Sequence, residues 1–455
     1  MKEKIIAIFD VGKTNKKTVL FDRNLRLISE DEIRFDQITD DDGFECDDIE
    51  RIEKWVSDSL VRLARSDKYE LTAVNYSTYG ATLAYLDPSG KRFTPVYNYL
   101  KPIDEMIPER LYRRYGGQDE FCRRTASPAL GMLNSGMQIL WLRSAKPAVF
   151  SSVRHILHFP QYISYLVTGK VFSEHTSIGC HTALWDFDNM AYHPWVADNC
   201  LSLPEPIPVD TMVDCETNGR KFRSGIGIHD SSASLAPYFT GGRGKFLLLS
   251  TGTWCINMNP FNSEKLTAEQ LDRDCLCYLS ITRQPVKSSR FFLGNLHVMG
   301  VKMLNEHFRT TEDFYKLVRF DHELYSMLRK RYTGDRRAFL NIGPASGEFR
   351  ERIDLFDFKS FDEAYHQMMS ELCELTIESV KLILPEKDDT ENIYITGGFA
   401  RNEIFIKLIT RAFPDKKVYT TEISNATALG AAIVVYRSIN DKLPELDLGL
   451  TECHF

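Results

Sequence analysis

The sequence lacks long apolar runs and cysteine motifs. Its amino terminus offers only five consecutive apolar residues, Ile5 to Phe9, which are too few for a signal-peptide core or a membrane span. The ten cysteines include no Cys-x-x-Cys pair, and Cys275 and Cys277 have no histidine at zinc-finger spacing. We therefore expect a cytoplasmic protein without a membrane partner, whose cysteines are reduced and mostly buried.

The sequence also has no excess of basic charge and no low-complexity tract. The formal net charge is -7, which argues against a nucleic-acid partner. Hydrophobic residues make up 43% and charged residues 26% of the chain, as in ordinary globular proteins. A chain of 455 residues is long enough for about two to four domains.

The stretch from Gly225 to Ser234 contains the main candidate for catalysis. Two isoleucines lead to Asp230, and Ser231 and Ser232 follow as typical N-cap residues. This pattern predicts a strand–helix junction with a carboxylate at its mouth. Such a carboxylate can accept a proton from a substrate hydroxyl, and a plain helix cap is the alternative.

The amino-terminal residues predict a strand–turn–strand unit. Residues 5–9 form the first strand, and residues 18–22 form the return strand. In the turn, Gly12 permits close approach of a ligand, and the backbone amides with Thr14 and Asn15 can bind phosphate oxygens. Asp10 is placed to hold a magnesium ion through water. An ordinary hairpin is the alternative.

The same design recurs about halfway along the chain. Residues 245–257 predict a second strand–turn–strand unit whose turn is Ser250-Thr251-Gly252-Thr253. Two such turns, one in each half, are suited to grip a polyphosphate. A plain Ser/Thr turn is the alternative.

Two further strands end at glycines. Residues 393–395 predict a strand that meets Gly397 and Gly398, where a flat ring can lie against the backbone. Residues 71–77 predict a strand that ends at Thr78-Tyr79-Gly80, where either a substrate approaches or the chain simply turns. The acidic run from Asp40 to Asp48 is interpreted as a solvated loop before a helix.

In this order, these motifs resemble the FGGY family of carbohydrate kinases over nearly the whole chain. Asp230 occupies the place of the family's catalytic base. The other matching segments are Asp10-x-Gly12-x-Thr14, Gln138-Ile139-Leu140-Trp141-Leu142, Ser250-Thr251-Gly252-Thr253 and Thr396-Gly397-Gly398-x-x-x-Asn402.

The resemblance implies an α/β fold with two ribonuclease H-like lobes, the actin- and hexokinase-like ATPase fold, and a cleft between the lobes. We expect the lobes at residues 1–240 and 241–455. The first would carry the sugar site, the first phosphate turn and the catalytic aspartate. The second would carry the second phosphate turn and the adenosine site.

The resemblance also implies ATP and Mg2+ as cofactors and transfer of the γ-phosphate to a sugar hydroxyl. Asp230 would be the base, and Asp10 the metal ligand. The sugar would contact Thr78, Gly80, His229 and Asp230, although a structural His229 satisfied by nearby backbone is an equal alternative. The predicted nucleotide contacts are Gly12, Lys13, Thr14, Asn15, Ser250, Thr251, Gly252, Thr253, Gly397, Gly398 and Asn402.

The branch of the family is suggested by two short motifs. His229-Asp230-Ser231 and Gly252-Thr253-Trp254 look most like the rhamnulokinase and L-fuculokinase branch, which implies a 6-deoxyketohexose such as L-fuculose or L-rhamnulose. One segment departs from the family. Its Trp-x-Asp-x-Arg pattern is replaced by Tyr97-Asn98-Tyr99-Leu100-Lys101, so the sugar contacts must differ.

Several alternatives therefore stay open at the level of sequence. They are a kinase for a xylulose- or ribulose-like sugar or a polyol, a non-metabolic actin-like ATPase, and a sugar-binding regulator without catalysis. A monomer and a homodimer are both compatible with the sequence.

Overall fold

The computed structural model describes residues 2–201, 203–332, 336–342, 347–440 and 442–455. The chain divides into two compact units. The first comprises the residues up to Gly241 together with Cys277–Pro285 and Ser424–Leu446, and the second comprises Gly242–Leu276, Val286–Ile423 and Asp447–Phe455.

The amino-terminal part of the chain alternates short strands and helices. Its strands are β1 (Glu3–Val11), β2 (Lys16–Phe21), β3 (Leu27–Ile33), β4 (Ile38–Thr39), β5 (Glu45–Cys46), β6 (Tyr69–Thr78), β7 (Leu83–Leu86), β8 (His155–His158), β9 (Ser173–Glu174), β10 (Trp185–Asp186), β11 (Ala191–Tyr192), β12 (Pro206–Ile207), β13 (Met212–Thr217), β14 (Arg220–Gly225) and β15 (Ile228–His229). Its α-helices are α1 (Ile49–Ala64), α2 (Met106–Arg114), α3 (Gln118–Thr125), α4 (Ser135–Ala145), α5 (Pro147–Ser151), α6 (Phe159–Thr168), α7 (His175–Ile178), α8 (Pro194–Asp198) and α9 (Asp230–Gly241).

A seven-stranded sheet organises the first unit. Its order is β13-β14-β6-β1-β2-β3, with β15 paired to β6 beyond the end of β14. Residues 5–9 of β1 are buried without alternation, as expected for a central strand covered on both faces. Helix α1 packs one apolar face, spaced by three and four residues, into the same core. The strands predicted at residues 5–9, 18–22 and 71–77 are confirmed as β1, β2 and β6.

The carboxyl-terminal part carries a second seven-stranded sheet. Its strands are β16 (Phe246–Thr251), β17 (Cys255–Asn259), β18 (Cys275–Leu279), β19 (Pro285–Phe291), β20 (Leu340–Ile342), β21 (Gly347–Phe349), β22 (Asn392–Gly397), β23 (Lys417–Thr420) and β24 (Thr451–Cys453). Its helices are α10 (Ala268–Asp272), α11 (Leu293–Phe308), α12 (His322–Arg331), α13 (Phe361–Lys381), α14 (Glu403–Ala412) and α15 (Ala426–Ile439). The sheet order is β18-β19-β17-β16-β22-β23-β24, with β20 and β21 forming a separate hairpin. The predicted hairpin at 245–257 is confirmed as β16 and β17.

The interpretation of the acidic run as a solvated loop before a helix is confirmed only in part, because Asp41 and Asp42 are exposed and α1 follows at Ile49, but other acidic residues of the run are buried. Asp40 and Asp47 are only 6% and 5% exposed. The Lys101 ammonium lies 2.5 Å from a carboxylate oxygen of Asp40 and 2.5 Å from one of Asp42. The run is ordered because lysines from other segments neutralise it, and a local charge pattern cannot show those partners.

Seven of the ten cysteine side chains are buried, as predicted. In the part of the chain that the structure describes, none of the helices combines the length and the apolar character required to cross a membrane.

Helix α15, which belongs to the first unit, packs closely on α9. A Cβ atom added to Gly430 would lie 1.8 Å from the carbonyl oxygen of Ala233. Its neighbours Ala428, Ala431 and Ala432 are fully buried, which confirms the predicted small-residue helix. Because α9 begins at Asp230, this backbone contact fixes the position of the candidate base.

We expect Gly430→Ala to lower the free energy of unfolding by about 1–3 kcal/mol, because the new methyl group overlaps the backbone of α9. Chemical denaturation followed by circular dichroism measures the change. Arg437→Ala, at an exposed position of the same helix, is the control and should stay within about 0.5 kcal/mol of the parent. Equal stability of the two variants would contradict the close approach.

Candidate active site

The carboxyl ends of three parallel strands coincide in the first unit. Strand β6 pairs with β1, which sets Asp10 beside Ser77, and with β15, which sets His229 beside Thr78. Ligands of α/β sheets bind outside the carboxyl ends of such strands. With Asp230 directly after His229, the structure brings the predicted metal ligand, base and sugar contacts to one edge of the sheet.

Asp230 is the first residue of α9, so the expectation that Ser231 and Ser232 cap this helix is wrong. Both serines lie inside the first turn, and the buried Ser232 hydroxyl donates to the carbonyl of Leu279 instead. The Asp230 carboxylate accepts the Ser231 amide at Oδ1 over 2.6 Å. Its Oδ2 accepts no hydrogen bond from a described residue, and the side chain is 36% exposed. One oxygen is thus held by the helix, and the other is open to a ligand.

His229 packs between Asp230 and Gly80, which lies two residues beyond the end of β6. Its Nε2 lies 3.4 Å from Oδ1 of Asp230, and a Cβ atom on Gly80 would lie 2.6 Å from the same nitrogen. Burial lowers the pKa of His229, although Asp230 opposes the shift, so the neutral ring is favoured. Nδ1 is buried and has no hydrogen-bond partner among the described residues. The backbone therefore does not satisfy this nitrogen, contrary to the structural alternative.

Asp10 occupies a site that resists its ionisation. Burial, followed by the negative charge of Asp230, raises the pKa of Asp10 from 3.8 to about 7, although Lys17 opposes the shift. No described residue donates a hydrogen bond to its carboxyl group. Two neighbouring carboxylates with open oxygen atoms fit the hard oxygen ligands that Mg2+ prefers, so the donor set suits the predicted metal.

The first turn closes tightly. The amide of Gly12 donates to the carbonyl of Asn15 over 2.9 Å, and a Cβ atom on Gly12 would lie 2.9 Å from that oxygen. Thr14 is exposed, and Oδ1 of Asn15 is buried without a hydrogen-bond partner in the described ranges. The Lys13 ammonium points to Asp47, at 2.6 Å.

In the second unit, the hydroxyl-rich turn and the glycine pair lie together. Thr251 is the register partner of Gly397, and a Cβ atom on Gly397 would lie 1.8 Å from the Thr251 carbonyl oxygen. The Thr251 hydroxyl accepts the Phe399 amide over 3.1 Å. Gly252, Thr253 and both glycines of the pair are exposed, and Ser250 is half-buried. The glycine at 397 also has φ +89°, a conformation that L-residues rarely adopt.

Asn402 has a structural role in this unit. Its side-chain oxygen Oδ1 caps α14 by accepting a hydrogen bond from the Phe405 backbone amide over 3.0 Å. Its side-chain nitrogen Nδ2 donates to the Tyr365 hydroxyl over 2.8 Å. Its contact with a nucleotide stays a prediction.

Two residues near the strand ends were missed by the sequence reasoning. Lys17 faces Asp10 in the β1–β2 register, and counting across the four-residue turn would have found it. Tyr278 reaches Asp230 from a distant segment, and its pKa is raised by burial, then by Cys180 and Asp230. No local signal marks Tyr278.

The segment at residues 97–101, which departs from the family pattern, lies among buried charges and aromatic rings. Lys101 is 7% exposed, bound to Asp40 and Asp42, and stacked over the rings of Tyr97 and Trp141. Tyr99 is half-buried, and its pKa is raised by burial and by the negative charges of Asp47 and Asp230. The phenol therefore lies near the base, whereas the ammonium of Lys101 is committed elsewhere.

Solved structures of two kinases are similar to this chain in fold. A carbohydrate kinase from Novosphingobium aromaticivorans is 24% identical, with a TM-score of 0.79 over 98% of this chain and 95% of that one. A ligand-bound xylulose kinase from Lactobacillus acidophilus is 16% identical, with a TM-score of 0.77 over 99% and 93%. These likenesses confirm the predicted α/β fold of the actin- and hexokinase-like ATPases.

The sequence comparisons give the family. Residues 5–207 match the N-terminal domain of the FGGY family of carbohydrate kinases, and residues 243–442 match the FGGY C-terminal domain. A rhamnulokinase from Oceanobacillus iheyensis is 22% identical over 471 residues, covering 95% of this chain and 92% of that protein. One from Yersinia pestis is 27% identical, but over 41% of this chain and 40% of that protein. The chain belongs to the FGGY family of carbohydrate kinases.

The raised pKa of Asp10 predicts how stability depends on pH. In the unfolded chain Asp10 ionises near 3.8 and in the folded protein near 7, so its ionisation opposes folding. The deficit should grow as the pH rises from about 4 to about 7 and then level off. We expect Asp10→Asn to raise the melting temperature increasingly over this range, as measured by scanning fluorimetry.

Magnesium provides the control for this experiment. If Asp10 is a ligand, MgCl2 should stabilise the parent protein at pH 8 and have less effect on Asp10→Asn. A gain in melting temperature that does not vary with pH would contradict the buried, destabilised carboxyl group.

Proposed function

We propose that this carbohydrate kinase transfers the γ-phosphoryl group of ATP to a primary hydroxyl of a 6-deoxyketohexose, such as L-rhamnulose or L-fuculose. The observation that carries the reaction is the open Oδ2 of Asp230 beside Asp10 at the ends of parallel strands. The sugar class is supported by the His229-Asp230-Ser231 motif and by the rhamnulokinase relative.

Asp230 would be the general base. Its Oδ2 would take the proton as the sugar oxygen bonds to the γ-phosphorus and the bond to ADP breaks. The Ser231 amide fixes the orientation of the carboxylate through Oδ1. General-base assistance typically contributes about 100- to 10,000-fold to the rate.

The sugar would lie against Thr78, Gly80 and His229. Gly80 leaves room for the histidine ring, and the neutral ring can donate one hydrogen bond and accept another. Tyr99, which replaces the family's acid, would contact the sugar from the side of Asp230.

The nucleotide contacts would come from glycine-bearing turns. In the first unit, Gly12, Lys13, Thr14 and Asn15 would contact phosphate oxygens. In the second unit, the phosphate contacts would come from residues 250–253. The adenosine contacts there would come from Gly397, Gly398 and Asn402.

Magnesium would be held by Asp10, with Asp230 as the neighbouring carboxylate. A bound Mg2+ ion supplies neutralisation of the phosphate charge, which is a main contribution in phosphoryl transfer. The raised pKa of Asp10 means that the carboxylate gains most from a cation at neutral pH.

A kinase for another sugar or polyol, such as a xylulose- or ribulose-like sugar, is the second candidate. The similar structures include proteins named xylulose kinase and gluconate kinase from Lactobacillus acidophilus. The commitment of Lys101 to Asp40 and Asp42 favours this candidate, because the ammonium cannot then replace the family's sugar-binding arginine.

A coupled assay of ADP release with a panel of ketoses, aldoses and polyols tests the proposed function. We expect release only when a sugar is added, and the highest kcat/KM with a 6-deoxyketohexose. A pentulose or a polyol as the best acceptor would favour the second candidate. Sugar-independent hydrolysis would instead indicate an actin-like ATPase, and sugar binding without ADP release would indicate a regulator.

Asp230→Asn should lower kcat by at least about 100-fold, because the amide cannot accept the proton. Calorimetric titration should show unchanged binding of MgADP, which lacks the reacting phosphate. Asp36→Asn, at an exposed position, is the control. A turnover close to that of this control would remove Asp230 from the mechanism.

A further inference from the structure

Two lysines of the first phosphate turn share one carboxylate. The Lys13 ammonium lies 2.6 Å from Oδ2 of Asp47, and the Lys16 ammonium lies 3.3 Å from Oδ1. Within the described ranges, neither ammonium has a second carboxylate within 4.0 Å. The cluster therefore carries one uncompensated positive charge.

This surplus charge is poorly hydrated. The side chain of Lys16 is 1% exposed, that of Asp47 is 6% exposed, and that of Lys13 is 25% exposed. Buried charges are costly unless they are paired. An anion that approaches the exposed member, Lys13, would complete the pairing.

On the other face of the β1–β2 hairpin, negative charge is in excess instead. Lys17 lies 2.6 Å from Glu30 and 3.8 Å from Glu32, so two carboxylates surround one ammonium. Neighbouring residues of a strand point to opposite faces, which separates Lys17 from Lys16. The charge of Lys17 is therefore already neutralised, and Lys13 is the cation of this turn with charge to offer.

Lys13 is also the member of the cluster that can leave. Asp47 accepts a third hydrogen bond, from the Tyr79 hydroxyl over 2.6 Å. Without Lys13, the carboxylate would keep Lys16 and Tyr79, which is a balanced pairing. The ammonium rests over the rings of Tyr79 and Tyr99, 5.2 and 5.3 Å from their centroids. It follows directly after Gly12, whose amide lies in the turn proposed to bind phosphate.

We propose that the Lys13 ammonium exchanges Asp47 for the terminal phosphate oxygens of ATP and neutralises the transferring phosphoryl group. This inference rests on the proposed function and adds a catalytic cation to it. Lys13 takes no part in the proton transfer. The bond from the γ-phosphorus to ADP breaks, the bond to the sugar oxygen forms, and the sugar proton passes to Asp230.

Lys13→Met tests the exchange, with Lys4→Met as the matched control at an exposed position of β1. In calorimetric titrations with magnesium, Lys13→Met should weaken binding of a non-hydrolysable ATP analogue about tenfold or more and leave ADP unchanged. In turnover assays, kcat should fall about 100-fold with an unchanged KM for the sugar. Lys13→Arg should recover part of the loss.

The melting temperature separates this role from a structural one. Because Lys13→Met removes the surplus charge, it should unfold no earlier than Lys4→Met. Early unfolding, equal losses for ADP and the analogue, or an effect confined to the KM for the sugar would each overturn the inference. If the parent protein shows no sugar-dependent ADP release, the proposed function fails, and the ratio of analogue to ADP binding still decides the role of Lys13.

Discussion

The burial of one carboxyl group, Asp10, beside a second one, Asp230, is the constraint on which the first unit depends. Strand β6 sets them at one edge of the sheet, where burial, and then the negative charge of Asp230, raise the pKa of Asp10 to about 7. Such an arrangement opposes folding whenever both groups are charged. Under the proposed function, a cation bound at this edge would offset the cost of ionising Asp10.

Close backbone packing holds the candidate base, Asp230, in place. Gly430 lets α15 touch α9 at Ala233, and Gly80 lets the ring of His229 fill the space at the end of β6. Neither contact tolerates a side chain. This packing therefore holds the start of α9, and with it Asp230, at the strand ends, where the proposed chemistry needs a carboxylate.

Local sequence patterns were sufficient to predict the strands and turns, but they did not predict which distant residues contact them. The buried run at residues 5–9, the two glycine-bearing turns and the strand that meets Gly397 were predictable because each is defined by a few consecutive residues. The start of α9 was missed, because the helix already begins at Asp230 and the two serines that are typical cap residues lie inside its first turn. The pairing of Asp40 with Lys101 and the approach of Tyr278 to Asp230 join residues far apart in sequence, and no periodicity reports such contacts.

The contrast between local motifs and contacts from distant segments also separates the proposed reaction from its specificity. The proposed transfer needs Asp10, Asp230 and glycine-bearing turns, all of which lie in short motifs. The proposed acceptor contacts would include side chains such as Tyr99, whose surroundings contain a charge pair from another segment, Asp47 with Lys13. Asp47 binds Lys13 and Asp40 binds Lys101, so these pairs fix lysines of two segments that the proposed site uses. Under the proposed function, changing the pairs would alter the lining of the acceptor site while the strand ends keep their positions, so the pairs would act on specificity rather than on the transfer itself.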